Sequence, residues 1–186
     1  MTATVTDFRS LTGAYTIDPA HSRFGFVARH AMVTKVRGAF NEFEGSAVVD
    51  GDDPTKSSAR VTLQVKSIDT RNAQRDEHLR TNDFLDAETY PTITFTSTSV
   101  SNEGGNEFVV TGDLTIKDVT KSISIPLEFQ GAAKDPFGND RVGFEGSVVI
   151  NRSDWGVKWN AALETGGVLV SEKVTLEFEI SAIKTG

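Results

Sequence analysis

The side chains best suited to proton transfer or metal binding in this 186-residue chain are its three histidines, His21, His30 and His78. They do not occur as His-x-His or His-Glu-x-x-His, the spacings that place two zinc ligands on one element. A serine nucleophile such as Ser22 lacks the Gly-x-Ser-x-Gly turn of many hydrolases, and the chain has no cysteine. We therefore expect no catalytic residue, no metal site and no cofactor.

A second group of side chains could bind the polar head of a ligand. By strand parity, His30 shares a face with Phe24 and Phe26, so it points inward near one end of its strand if those rings do. It could bind a headgroup there, or equally be a buried histidine hydrogen-bonded to backbone or water. Guanidinium groups match phosphate and carboxylate oxygens, although arginines more often pair with surface acids. The headgroup candidates are His21, His30, His78, Arg75 and Arg152.

Period-two alternation of apolar and polar residues indicates the elements that must position these groups. Residues 122–130 and 174–181 alternate most regularly, and residues 61–66 and 142–150 follow the same pattern. Such alternation is typical of strands with one buried and one solvated face. Less regular strands are predicted at 11–18, 22–30, 36–50, 92–100 and 106–116, which makes eight or nine strands in all.

A large sheet with one apolar face must bury that face, either between two packed sheets or inside a closed barrel. Several predicted strands approach ten residues, or about 33 Å, and this length favours the barrel. Pro126 lies on the polar face of its strand, where it cannot donate a ladder hydrogen bond. It therefore predicts an edge, a bulge or a gap in the barrel wall at that point.

A single helix is predicted around residues 72–81, followed by a turn near 83–86. Its apolar anchors are few, and they suit a lid that closes one barrel end with Leu79, Phe84 and Leu85. Asp76 and Arg80 have the spacing of an i,i+4 ion pair. Trp155 and Trp159 are interpreted as plugs that fill an end of the core.

Charge and composition limit the classes of partner. The 19 basic and 26 acidic residues leave a net charge of −7, which argues against nucleic acid as a partner. Apolar runs are far shorter than the roughly 20 residues of a membrane-spanning helix, so no integral membrane segment is expected. The first ten residues do not resemble a signal peptide, which predicts a cytoplasmic location. We expect residues 1–12 to form an N-terminal segment and residues 13–184 to form one barrel domain.

Short motifs, taken in order, make the chain recognisable. It resembles the YceI-like family of polyisoprenoid-binding or lipid-binding proteins from about Gly13 to Ala182. The matching stretches are Tyr15–Asp18 with His21–Ser22, Phe26–His30, Val36–Phe40, Arg75–Arg80 leading into Asp83–Leu85, Tyr90–Phe95, Gly112–Lys121, Asn151–Arg152 with Gly156, and Val170–Val174. Each stretch is weak alone, but the order is specific.

The resemblance implies an extended lipocalin-like antiparallel barrel with an elongated apolar pocket and a short helix at its rim. It also implies a long-chain isoprenoid or fatty amphiphile as ligand, frequent dimerisation, and hence a possible homodimer. Strand parity and the family motifs together suggest five residues for the wall around the tail: Phe24, Phe26, Phe40, Phe95 and Phe144. Two alternatives remain: an enzyme that acts on a lipid through pocket histidines, and a protein-interaction or stress-response module whose barrel is filled by its own side chains.

Overall fold

The computed structural model describes residues 7–164 and 166–186, and within them the chain forms eleven strands and one α-helix. The helix, α1, spans Ala73–Arg80. The strands are β1 Gly13–Ile17, β2 Arg23–His30, β3 Thr34–Phe40, β4 Phe43–Val49, β5 Ser58–Gln64, β6 Ile68–Asp69, β7 Thr92–Gly104, β8 Glu107–Ile116, β9 Val119–Lys134, β10 Asp140–Asn151 and β11 Lys173–Lys184.

Eight of these strands form a closed antiparallel ring in the order β1-β4-β5-β7-β8-β9-β10-β11, because β1 also pairs with β11. β2 follows β1 along the same edge of β11, where Phe24 lies opposite Phe178 and Ile17 opposite Ala182. β2, β3 and β6 extend the wall beyond the ring. The prediction of an all-β barrel of about eight strands with one short helix is confirmed.

One predicted strand is divided in the structure. Residues 36–50 were expected to form a single strand, but the chain bends at Asn41–Glu42 between β3 and β4. The two halves pair with different strands, β3 with β2 and β4 with β1. Alternation of side chains does not reveal such a bend, because both halves continue to place apolar residues on the inner face.

The barrel wall is irregular beside Pro126, as predicted. The ladder between β9 and β10 runs from Lys134 opposite Asp140 to Leu127 opposite Gly146, and then stops. The carbonyl of Pro126 lies so close to Gly146 that a Cβ there would collide with it. The first half of β9 therefore pairs with β8 alone.

Helix α1 begins where Asn72 caps it, with the Asn72 side chain accepting from the backbone N–H of Arg75 at 3.0 Å. The expected ion pair between Asp76 and Arg80 is wrong. Asp76 is buried and accepts the backbone N–H of Thr70 at 2.8 Å. Arg80 donates instead to the carbonyls of Lys66 and Ile68. Both side chains fasten the helix to residues 66–70 around β6, because those backbone groups need partners.

Every second connection between strands lies at the same end of the barrel, which we call the helix end. It holds α1, the β2–β3 turn, the β8–β9 turn and residues 152–164 and 166–172. The opposite end, which we call the termini end, holds Phe8–Leu11, the loop 50–57 and the C-terminus. Residues 1–6 of the predicted N-terminal segment lie outside the described residues. Among the described residues, no helix combines the length and the apolar character needed to cross a membrane.

Candidate ligand-binding cavity

The interior of the barrel holds two cavities that follow one another along its length. The helix-end cavity, of about 250 Å³, lies among side chains of β2, β3 and β5 to β11 together with α1. The termini-end cavity, of about 160 Å³, is bounded by the N-terminal turn and the other halves of the strands. Five residues line both cavities: Ala59, Val61, Val110, Leu127 and Ile180. We call these five residues the waist.

The walls of both cavities are almost entirely apolar. Inward residues of successive strands alternate with outward polar ones, so the ring exposes Ile, Leu, Val and Phe side chains to its interior. The helix-end cavity has one charged lining residue, Arg152, and one hydroxyl-bearing one, Thr94, among the residues that the structure describes. A site of this kind takes apolar chains and gives them few hydrogen bonds.

The predicted lid closes the helix end as expected. Leu79 of α1 and the following Phe84 and Leu85 all line the helix-end cavity, and Phe84 is buried. Trp155 is also buried, and its Nε1–H donates to the carbonyl of Leu114 at 2.9 Å. Trp159 packs against Phe84, with 5.2 Å between the ring centroids.

The five predicted wall residues all line a cavity. Phe24, Phe26, Phe40 and Phe95 border the helix-end cavity, and Phe144 borders the termini-end cavity. The ring of Phe26 lies against Gly38, its cross-strand partner, where any Cβ would collide with it. A glycine at this position therefore lets the ring lie flat on the wall and leaves room inside.

Arg152 is a buried arginine, 6 % exposed, at the helix end of this apolar interior. Its guanidinium donates to the carbonyls of Ser171 and Val157 at 2.9 and 2.8 Å, and more weakly to that of Val170. Its nearest carboxylate oxygen, on Glu172, is 3.9 Å away. Burial lowers the pKa of Arg152, and the charge of Glu172 opposes that shift.

The other headgroup candidates do not line either cavity. Arg75 donates to the side chain and carbonyl of Thr70, so it fastens α1 in place. The ring of His78 packs edge-on against Phe84 and Trp159, and its Nε2 lies 2.8 Å from Asp83. His30 is exposed at the end of β2, beyond the cavity wall, because the interior ends near Ala28.

The expectation that the three histidines could gather at one mouth is wrong. His21 lies between β1 and β2 on the outer wall, with its Nδ1 2.7 Å from the carboxylate of Asp18. Asp18 also accepts from Arg141, whose guanidinium reaches Asp135 and Ser181. His21 is thus held beside β10 and β11, whereas His78 lies on α1 at the helix end. No group of three His, Asp or Glu side chains suited to a metal ion occurs in the described part of the chain.

Phe144 was the one predicted wall residue of the termini-end cavity, and the aromatic residues around it were not predicted. Phe8 packs edge-on against Phe108 and Phe129 there, with centroid distances of 5.4 and 5.7 Å. Tyr15 donates its hydroxyl to the carbonyl of Leu11 at 2.7 Å, which holds the N-terminal turn against the barrel. The parity of β9 could have indicated Phe129 as a wall residue, but nothing in the sequence pattern places Phe8 across from it.

Comparison with known proteins identifies the family. The model of the YceI-like domain matches residues 15–182. The chain belongs to the YceI-like family. A UPF0312 protein of Staphylococcus aureus is 40% identical over 169 residues, which cover 90% of this chain and 95% of that protein. A UPF0312 protein of Photorhabdus laumondii is 40% identical over 151 residues, or 80% of this chain and 78% of that protein.

Solved structures show the same fold for this YceI-like chain. Burkholderia cenocepacia BcnA superimposes with a TM-score of 0.79 at 28% identity, covering 89% of this chain and 98% of BcnA. A polyisoprenoid binding domain from Saccharophagus degradans superimposes with a TM-score of 0.70 at 15% identity, covering 92% of this chain and 98% of that domain. At that identity, the second likeness concerns the fold alone.

Proposed function

We propose that this YceI-like protein binds a long-chain amphiphile of isoprenoid type, with its tail inside the barrel, for transport, storage or sequestration. The observation that carries the proposal is the interior itself: two apolar cavities that share the waist and together follow the barrel from end to end. A barrel whose function required only a filled core would close this space with larger side chains. The polyisoprenoid-binding description of the Saccharophagus degradans domain gives further support for an isoprenoid tail.

The tail supplies most of the affinity in this proposal. Each buried CH₂ contributes about 0.8 kcal/mol, so affinity rises with chain length until the interior is full. The proposed tail contacts are the five wall phenylalanines. The proposed headgroup contact is Arg152, because it is the one cationic side chain that lines the helix-end cavity among the described residues.

Native mass spectrometry of gently purified protein, followed by titration with prenols of increasing length, tests this function. We expect a bound or bindable lipid and an affinity that grows with length. Phe26→Asp should weaken tail binding by well over tenfold, because it places a charge against the tail. His30→Ala is the matched control and should bind as the parent does, since His30 is exposed outside the cavity. Absence of any lipid binding, or equal effects of the two substitutions, would refute the proposal.

The enzymatic alternative makes a different prediction. It requires a histidine that reaches a bound lipid, whereas His30 is exposed and His78 is held between two aromatic rings. Recovery of the lipid unchanged after prolonged incubation is therefore the expected result. Turnover that His78→Ala abolishes without loss of binding would favour the enzyme.

A further inference from the structure

The turn between β2 and β3 exposes two large apolar side chains at the helix end of the barrel. Met32 is 62% exposed and Val33 is 74% exposed, and Val168 from the neighbouring segment lies exposed beside the same end. Apolar side chains that protrude from a tip gain nothing from the protein's own core. We call Ala31–Val33 the hairpin tip.

The local conformation is an unusual choice for these residues. Ala31 and Met32 have φ values of +51° and +63°, and the N–H of Val33 donates to the carbonyl of His30 at 3.0 Å. Three residues lie between the paired positions His30 and Thr34, and the two with positive φ are at positions that normally favour Gly, Asn or Asp. The Met32 side chain lies over Gly167, where a Cβ would collide with its Sδ, and it remains largely exposed at a position where a small polar residue would fit with less strain.

Basic residues stand directly behind the hairpin tip. The stretch from residue 19 to residue 41 holds Arg23, Arg29, Lys35 and Arg37 and no acidic residue, although the whole chain has a net charge of −7. Arg29 and Lys35 are directly opposite each other in the β2–β3 ladder, and both are exposed. Like charges in such a cross-strand pair repel. Within the described part of the chain, Glu177 forms ion pairs with Arg23 and Arg37. Neither Arg29 nor Lys35 forms an ion pair there.

The hairpin tip also adjoins the cavity. Ala28 lines the helix-end cavity two residues before His30, and Val170, which bridges to His30, lines it as well. A partner surface that contacts the hairpin tip would therefore also lie next to the helix end, where α1 and the residues that follow it close the cavity.

We propose that the hairpin tip docks the barrel onto an anionic phospholipid surface. Met32 and Val33 enter the headgroup layer, and Arg29 and Lys35 lie against lipid phosphates. The apolar pair supplies burial, and the basic pair supplies electrostatic attraction that salt weakens.

Flotation with phospholipid vesicles that contain no isoprenoid tests this docking. The parent protein should float with vesicles of phosphatidylcholine and phosphatidylglycerol, and much less with phosphatidylcholine alone. Met32→Ser with Val33→Ser should lower the bound fraction on the order of tenfold. Arg29→Gln with Lys35→Gln should remove the dependence on phosphatidylglycerol and on salt. All of these positions are exposed, and circular dichroism is the check that the variants are folded.

Phe137→Ser is the matched control. Phe137 is the most exposed large apolar side chain in the described chain, at 88%, but it lies in the β9–β10 turn at the termini end. Its loss should leave flotation unchanged. Flotation of the Met32→Ser, Val33→Ser variant at the parent level would overturn the proposal, as would failure of the parent to float. Self-association that this variant abolishes, without vesicle binding, would assign the tip to a second copy of the chain instead.

Vesicle docking and lipid binding are separable. Phe26→Asp should abolish tail binding but leave flotation intact, because Phe26 lies inside the barrel. Conversely, loss of flotation in the hairpin-tip variant should leave the equilibrium affinity for soluble short prenols unchanged.

Discussion

The buried Arg152 side chain borders an apolar cavity, and its hydrogen-bond partners are backbone carbonyls. Three backbone carbonyls accept from its guanidinium, and together they hold residues 157 and 170–171 near the end of β10. A guanidinium has five N–H donors, and these bonds use three of them. Its ion pair with Glu172 is long, at 3.9 Å. An amphiphile with an anionic head at this end of the cavity would supply the missing counter-charge.

Replacement of Arg152 by methionine should therefore change headgroup selectivity. The parent should prefer a prenyl phosphate to the prenol of equal length by roughly tenfold, the size expected of one charge-assisted hydrogen bond. Arg152→Met should abolish that preference while the prenol still binds, as isothermal titration of both ligands will show. If Arg152 had a purely structural role, the substitution would instead lower the affinity for both ligands equally. Arg152→Lys, which keeps the charge, should retain part of the preference.

At the scale of single elements, the sequence best predicts those features of helices and strands that a local pattern marks. The helix lies within one residue of its expected bounds because Asn72 and Thr81 are its caps, and a cap is a local signal. The strand faces were predictable from parity for the same reason. The wall phenylalanines follow from these faces, since an inward residue of a closed barrel borders its interior.

Contacts between distant segments could not be predicted in this way. The bend between β3 and β4, the packing of Phe8 on Phe108, and the separation of His21 from His78 depend on which strands meet. The side-chain partners of α1 were not predicted either, because Asp76 and Arg80 bond to backbone groups of the preceding segment, residues 66–70, instead of to each other. Spacing shows which pairs can form, whereas competing backbone donors and acceptors decide which do.

A charged cluster joins β10 to the bend between β1 and β2. The Arg141 guanidinium lies 2.7 Å from both Asp18 and Asp135 and is largely shielded from solvent. The hydrogen bond from Arg141, followed by that from His21, lowers the pKa of Asp18 to about 2. Asp135 is shifted in the same direction, again chiefly by Arg141. A carboxyl whose pKa is lowered by folding stabilises the native state at pH values above its ordinary pKa of 3.8.

Removal of this cluster should make stability less sensitive to acid. We expect Arg141→Met to lower the melting temperature by several degrees near neutral pH, and the difference from the parent to shrink as the pH falls from about 4 to about 2. Thermal unfolding followed by circular dichroism over that range measures it. Arg60→Met, at an exposed arginine that bonds to Ser46, is the control and should show no such pH dependence. A difference that stays constant down to pH 2 would mean that Arg141 acts by packing alone.

Across the whole molecule, the two cavities act as one site only if a tail can pass the waist. Val61 lies at the waist opposite Phe95, on the inner face of β5. Val61→Phe would add a ring where the two cavities meet, and we expect it to separate them. Short prenols that occupy the helix-end cavity should then bind nearly as well as before. Long prenols should lose the extra affinity that they have for the parent over short prenols, because their distal units no longer reach the termini-end cavity.

Val149→Phe provides the matched comparison for this substitution. Val149 is 56% exposed on the outer face of β10 and lines neither cavity, so the same added ring should leave the length dependence unchanged. Measurement of affinity against prenol length in the parent and both variants separates two arrangements. If Val61→Phe flattens the curve only beyond a certain length, one tail spans both cavities. If it weakens short and long prenols equally, the waist forms part of the helix-end site and the tail does not pass it.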